Sequence, residues 1–568
     1  MAAQENYFIG IDVGTGSARA AIIDMQGHLV SIDVQPILLH NPKHDIYQQS
    51  SDNIWFSIVR CVHTIMEKTK LKSDQIKGIG FDATCSLVVL DKNGSPQSVD
   101  ESSQFSNNDY NIILWADHRA INQANRINAT HHPVLRYVGD TISPEMETPK
   151  TLWLKETLPA EKWDHIGHLM DLPDFLTWRA TGSTTRSTCS LTCKYSYLPR
   201  LVGQGWEPSF FEEIGLGCLI DEEFSRMGGQ ETLEAGDPVG YGLTAQAAEE
   251  LGLLPGTPVG SAIIDAYAGA IATLGATANV KEKEAMLAGL KVHGPSRLAI
   301  ISGTSSCHIT MSPEPIFVPG VWGPYRSVMV PDMYFAEGGQ SSTGQLIDFI
   351  VNSHPALLEA QQKAQEASLN LHAFLSQHLV TLQKQRKLTY LDNLTQHLHI
   401  YPDFHGNRSP LADPSLRGTV VGISLDKSID DLACKYLATL QAIACQTRHI
   451  IETLNAQGYT IDTLCMSGGL CKSSLFMQIL VDATQCRIIM PESIEGAVVI
   501  GAGFLGAKAS GLISNDLWNI MVQMGKAGTT VLPNKDEKIE QIYSRRYQVF
   551  LAMLEDQKKY RKLMAECE

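Results

Sequence analysis

The chain has 568 residues, 44% hydrophobic and 19% charged, with a formal net charge of −16. That length exceeds what one core can organise, so two large domains are expected. The acidic balance argues against a nucleic-acid partner, since nothing would neutralise phosphates along a duplex, but it leaves room for a nucleotide site made of local donors.

Twelve cysteines occur without CxxC pairs, which fits free cytosolic thiols better than zinc ligands or a disulfide framework. The opening MAAQENYF has no basic or apolar leader. No stretch reaches the roughly eighteen apolar residues of a membrane span. A cytoplasmic protein without a membrane partner is expected.

Phe8 to Asp24, FIGIDVGTGSARAAIID, reads as a β-hairpin around the turn Gly14-Thr15-Gly16-Ser17. Glycines let backbone N–H groups converge on an anion, and Thr15 and Ser17 add hydroxyl donors. Asp12 beside a phosphate would need a cation between them, which suggests Mg²⁺ held through water. By itself the stretch equally suits a tight hairpin with a buried aspartate.

A third strand over Leu29 to Asp33, an amphipathic helix over 53–68 and a strand over Ile76 to Phe81 follow. Asp82-Ala83-Thr84 then lies at the carboxyl end of that strand, where open α/β sheets place ligands. Trp115-Ala116-Asp117-His118-Arg119 mixes an aromatic, a carboxylate and a guanidinium, as sites for hydroxylated ligands do. A structural ion pair between Asp117 and Arg119 is nevertheless the plainer reading, and His118 is a neighbour. Asp171 to Trp178 reads as a helix capped by Asp171 or Leu172. In Ser187 to Tyr195, Cys189 and Cys193 suit packing, and Lys194 reads as a surface lysine. Asp265 follows the strand Val259 to Ile263 and opens a helix, so it is either an N-cap or a carboxylate kept ionised by the helix end.

The second half repeats the opening. Leu298 to Ser302 leads into Gly303-Thr304-Ser305-Ser306, which matches the first turn at three of four positions. Two lobes gripping one polyphosphate from opposite sides need such a duplicated turn. Glu337 precedes Gly338-Gly339 and a helix over Gln345 to Val351, and reads as a helix-flanking carboxylate or a cleft residue.

Residues 354–400 read as helices without visible chemistry, and Arg408 as a brace for its own loop. A long helix spans about 428–455, then a strand over Ile461 to Met466 leads into Ser467-Gly468-Gly469-Leu470-Cys471-Lys472. That stretch lacks P-loop spacing and suits a plain helix start or a nucleotide border. Glu495 to Gly503 forms a small-residue helix able to pack closely near a hinge, and 536–564 a terminal helix with a solvated, alternately charged face.

IDVGTGSARAAIID, GTSS and GGQSSTGQLIDF, in this order, resemble the FGGY carbohydrate kinases over about residues 7 to 510. TCSLTCKY (188–195) is very close to a string marking the D-ribulose kinase subgroup, with Tyr195 where that subgroup typically has tryptophan. The resemblance implies an α/β fold of two RNase H-like, actin/hexokinase-type domains around a deep interdomain cleft. The expected divisions are a sugar-binding domain over 1–290, an ATP-binding domain over 291–512 with a helical insertion at about 353–400, and a helical extension over 513–568.

It further implies Asp265 as catalytic base, and sugar contacts from Asp82, Ala83, Thr84, Asp117, Lys194, Asp265 and Glu337. ATP contacts would come from Gly14, Thr15, Gly16, Ser17, Gly303, Thr304, Ser305, Gly468, Gly469 and Lys472, with Asp12 and Asp265 supporting Mg²⁺. The expected reaction is ATP-dependent phosphorylation of D-ribulose, with L-ribulose, D-xylulose or a pentitol as rival acceptors. An ATP-driven clamp and an inactive sugar sensor are the rival classes, and a homodimer is left open.

Overall fold

The computed structural model describes residues 5–199, 205–494 and 496–565. Glu495 lies outside the described residues, as do the first four residues of the opening MAAQENYF. The first sheet comprises β1 (Tyr7–Val13), β2 (Ser17–Asp24), β3 (Leu29–Pro36), β4 (Ile76–Ala83) and β5 (Val259–Ile264), in the order β5-β4-β1-β2-β3. β1 is buried along its whole length, as a strand covered on both faces must be.

The second sheet comprises β6 (Arg297–Ser302), β7 (Ser306–Ser312), β8 (Trp322–Arg326), β9 (Tyr334–Gln340), β10 (Thr463–Gly468), β11 (Arg487–Pro491) and β12 (Ala527–Val531). Its order is β8-β9-β7-β6-β10-β11-β12. The inner strands β9-β7-β6-β10-β11 repeat the order and direction of β3-β2-β1-β4-β5: two antiparallel pairings on one side of the central strand and two parallel ones on the other. The duplicated turn therefore joins equivalent strands of two like lobes. A smaller five-stranded sheet in the first half carries the loops after Ala83 and Leu114.

Two helices cross between the lobes. Asp265–Leu274 leaves β5 yet packs on β6 and β10, and Ala497–Ser510 leaves β11 yet packs on β1, β4 and β5. Glycine permits both contacts. A Cβ at Gly10 would stand 1.9 Å from the Val499 carbonyl oxygen, and one at Gly501 would stand 2.0 Å from that of Ala268. The expected small-residue helix is present, and it lies on the sheet of the opposite half.

The inserted helices Leu357–Glu366 and Leu371–Gln385 pack near the long helix Ile429–Ala456. Two expectations for the last segment are corrected. Residues 513–568 are not a purely helical extension, since β12 pairs with β11 and Leu517–Met524 is buried against the crossing helices. Glu537–Ala565 is not simply solvated either: Tyr543, Tyr547, Phe550 and Leu554 recur at helical spacing and are buried beneath its charged face. Among the described residues, no helix is long and apolar enough to cross a membrane, and the eleven described cysteines are free thiols.

Candidate active site between the lobes

Three carboxylates meet at the carboxyl edge of three adjacent parallel strands. Asp12 and Asp82 are register partners on β1 and β4, and Asp265 is the first helical residue after β5. Strand pairing thus brings together residues far apart in sequence, where an α/β sheet presents ligands. Arg19, beyond the hairpin turn, donates from Nη1 to Asp12 Oδ2 at 2.9 Å. Both oxygens of Asp82 are buried without a hydrogen-bond partner.

Burial and neighbouring negative charge favour the protonated acids here. Burial raises Asp12 despite Arg19. Burial and the charge of Asp12 lift Asp82 well above the carboxylate range. Asp265, half-buried, is pushed up to about 7 by burial and then by Asp12. The Ala266 N–H does donate to its Oδ1 at 2.7 Å. The expectation that the helix end keeps Asp265 ionised is corrected, because desolvation and a second carboxylate outweigh one N–H.

The two turns present polar groups at equivalent places. In the first, the Gly14 N–H donates to the Ser17 carbonyl, and Trp115 Nε1 donates to Thr15 Oγ1 at 3.0 Å, leaving the hydroxyl its own proton to donate. Gly16 faces open space. In the second, the N–H groups of Thr343, Gly344 and Gln345 at the start of the Gly344–Asn352 helix donate to the carbonyls of Gly303 and Thr304. Gly303 and Thr304 are exposed, and Ser305 is half-buried.

Ser302 pairs with Gly468 across β6 and β10, so Gly468, Gly469 and Lys472 lie beside this second turn. Gly468 has φ +95°, and a Cβ there would meet the Ser302 carbonyl oxygen at 2.2 Å, so the position requires glycine. Gly469 borders open space, and Lys472 is exposed.

The remaining wall draws on both lobes. Ser187 caps the helix Thr188–Lys194 by accepting from the Ser190 N–H. Lys194, expected at the surface from composition alone, is 5% exposed, with Nζ 4.9 Å from the Trp322 ring centroid. Burial opposes its charge, but Cys85 and Glu337 nearby outweigh it, and its pKa is raised. Glu337 lies within β9, 6% exposed, with Oε2 buried and unpartnered. Tyr195 is fully buried, and Cys189 and Cys193 pack into the core beneath.

Ala83 and Thr84 are buried, and the Thr84 N–H donates to the Val13 carbonyl. Asp82 faces Asp12 across the strand pair. Asp117 forms the ion pair of the plainer reading: it accepts from Arg119 Nη2 at 2.7 Å and Nε at 2.8 Å, and from the Tyr47 N–H at 2.7 Å. Arg408 departs from its expected bracing role. It reaches Glu145 of the first lobe at 3.8 Å and lies near Trp322.

Glu145 and Trp322 were missed as site residues. Neither stands in a sequence pattern that distinguishes a cleft residue from a core one. Among the described residues, no group of three or more His, Cys, Asp or Glu side chains could hold a metal by protein ligands alone. Asp12 and the orphaned oxygens of Asp82 suit a hydrated divalent ion shared with a phosphate.

Residues 7–272 match the N-terminal domain and residues 298–510 the C-terminal domain of the FGGY family of carbohydrate kinases. A human FGGY carbohydrate kinase domain-containing protein is 47% identical over 560 residues, 99% of this chain and 98% of its own length. A D-ribulokinase of Saccharomyces cerevisiae is 42% identical over 524 residues, 89% of this chain and 72% of its own. A ligand-bound xylulose kinase from Lactobacillus acidophilus shares the fold with a TM-score of 0.75 at 18% identity, covering 96% of this chain and 97% of that one. This chain belongs to the FGGY family of carbohydrate kinases and is a phosphotransferase with the two-domain actin/hexokinase-like fold.

Proposed function

We propose that this kinase transfers the γ-phosphoryl group of ATP to the terminal hydroxyl of D-ribulose, giving D-ribulose 5-phosphate and ADP. One observation carries the reading: Asp265 lies close enough to Asp12, Lys194 and Glu337 to feel their charges, beside the Asp12–Asp82 register pair and on the lobe that carries the Gly14–Ser17 turn. The 42% identity to the yeast D-ribulokinase supports the choice of sugar.

In this reading Asp265, ionised, accepts the hydroxyl proton as the new P–O bond forms and the bond to ADP breaks. Lys194 donates to the ketose oxygens, and Glu337 accepts from a hydroxyl. Thr15, Ser17, Thr304 and Ser305, with Gly14, Gly16 and Gly303, hold the phosphates from two sides. Gly468, Gly469 and Lys472 border the nucleoside. Asp12 and Asp265, with Asp82 beside them, would hold Mg²⁺ through water, and that ion would supply charge neutralisation at the phosphates. Asp117 acts through Arg119 by fixing the loop that carries Trp115. Lobe closure expels water and limits ATP hydrolysis.

The test is ADP release from ATP and Mg²⁺ with D-ribulose, L-ribulose, D-xylulose and the pentitols. The highest kcat/KM for D-ribulose is expected. A higher value for another acceptor overturns the sugar, and ADP release that no sugar stimulates overturns sugar phosphorylation by this site.

A further inference from the structure

Arg408 stands on the loop after the strand His399–Tyr401, in the second lobe. That loop is held by its neighbours. Asn407 Nδ2 donates to Asp403 Oδ2 at 2.8 Å, the Leu411 N–H donates to Asn407 Oδ1, and Ser409 Oγ donates to the Gly320 carbonyl. The guanidinium is therefore not needed as a brace and turns into the cleft. There Nη2 lies 3.8 Å from Glu145 Oε2, Nη1 lies 3.8 Å from Cys307 Sγ, and the guanidinium carbon lies 5.9 Å from the Trp322 ring centroid.

Glu145 belongs to the first lobe, one residue before the buried Met146 and the helix Glu147–Thr157. Its other oxygen lies 3.7 Å from His118 Nε2. His118 is held in turn: its N–H donates to the Asp45 carbonyl, and its own carbonyl accepts from Ile121. Burial works against the Glu145 charge, but His118 and Arg408 bring its pKa down to about 2. One carboxylate is thus flanked by a basic side chain from each lobe. The side chains are 35% (His118), 23% (Glu145) and 17% (Arg408) exposed, so the chain runs along the cleft where the lobes meet.

We propose that Arg408 and Glu145, with His118 behind them, are positioning residues that latch the lobes together across the sugar pocket. The inference rests on the kinase reading of the cleft, not on which sugar fills it. A latch of this kind raises the population of the closed cleft before sugar arrives. Apparent sugar affinity scales with that population, whereas saturating sugar closes the cleft by itself. Loss of the latch therefore acts mainly on sugar KM. The contacts exceed direct hydrogen-bond length and retain some solvent, so the effect is smaller than for a dry ion pair.

The experiment is a double-mutant cycle of Arg408→Gln and Glu145→Gln, with D-ribulose and ATP. Each single variant is expected to raise sugar KM by about threefold to tenfold with a smaller change in kcat. The double variant is expected to be no worse than the worse single, because the partners act as one unit. Arg408→Lys should recover part of the loss. The free variants should show a larger radius of gyration by solution X-ray scattering, a readout independent of any substrate.

Multiplying single effects in the double variant, or an unchanged radius of gyration in both singles, would overturn the latch. Wild-type enzyme inactive on D-ribulose refutes the sugar assignment instead, and the scattering arm then decides the latch. If Arg408→Gln fails to fold, Arg408→Lys combined with Glu145→Gln carries the cycle.

Discussion

Asp265→Asn should abolish most turnover and yet stabilise the free protein. In the folded state the carboxyl is raised to about 7, from an ordinary value of 3.8. That gap corresponds to about 4 kcal/mol of penalty for holding the group ionised, at about 1.4 kcal/mol per tenfold. Asp265 keeps a solvent-facing edge, so roughly 1–3 kcal/mol is the realistic share.

The sign follows from proton linkage. The folded state binds the proton more tightly than the unfolded chain, so the wild type carries no penalty below about pH 4. It loses stability as pH rises through about 7 and is level above that. The melting temperature of Asp265→Asn minus that of wild type, in metal-free and ligand-free buffer, should therefore be small at pH 4, grow to about pH 7 and then plateau. Over the same pH range, wild-type kcat/KM should climb as the base ionises. Removing a general base should lower kcat by about 10²–10⁴-fold. Turnover at the wild-type level would refute the base. A variant less stable than wild type at pH 8 would refute the argument from buried charge.

Gly501→Ala should destabilise the fold by roughly 1–3 kcal/mol in urea unfolding, since its Cβ would stand 2.0 Å from the Ala268 carbonyl oxygen where the helices cross. Lys194→Met keeps the packed stem and removes the charge, so sugar KM should rise about tenfold to a hundredfold while ATP KM stays near wild type. Asp117→Asn leaves the Arg119 guanidinium buried with a weakened partner and should cost roughly 2–4 kcal/mol of stability with little change in sugar KM. A raised KM at unchanged stability would make Asp117 a sugar contact instead.

Much of this protein was readable from the chain. The repeated Gly-Thr turns announced a duplicated lobe because each lobe solves the same local problem, a tight hairpin with exposed donors. Asp265 stood out as the acid where a strand gives way to a small-residue helix. Local patterns of this kind survive in the sequence because strand, turn and cap depend on residues a few positions apart.

The rest depended on contacts between distant segments. Strand pairing set Asp82 against Asp12, and burial together with that neighbour turned Asp265 from an expected anion into a group near neutrality. The same burial hid Lys194 from its surface reading. Tyr543, Tyr547 and Phe550 did carry a helical spacing, but only packing showed that their face, and not the charged one, decides where the helix lies. The Gly501–Ala268 contact where the helices cross, and Arg408 reaching Glu145, join residues more than 200 positions apart. A chain read locally holds no record of which distant side chain shares a cleft, because desolvation and ion pairing are properties of the assembled space and not of neighbouring residues.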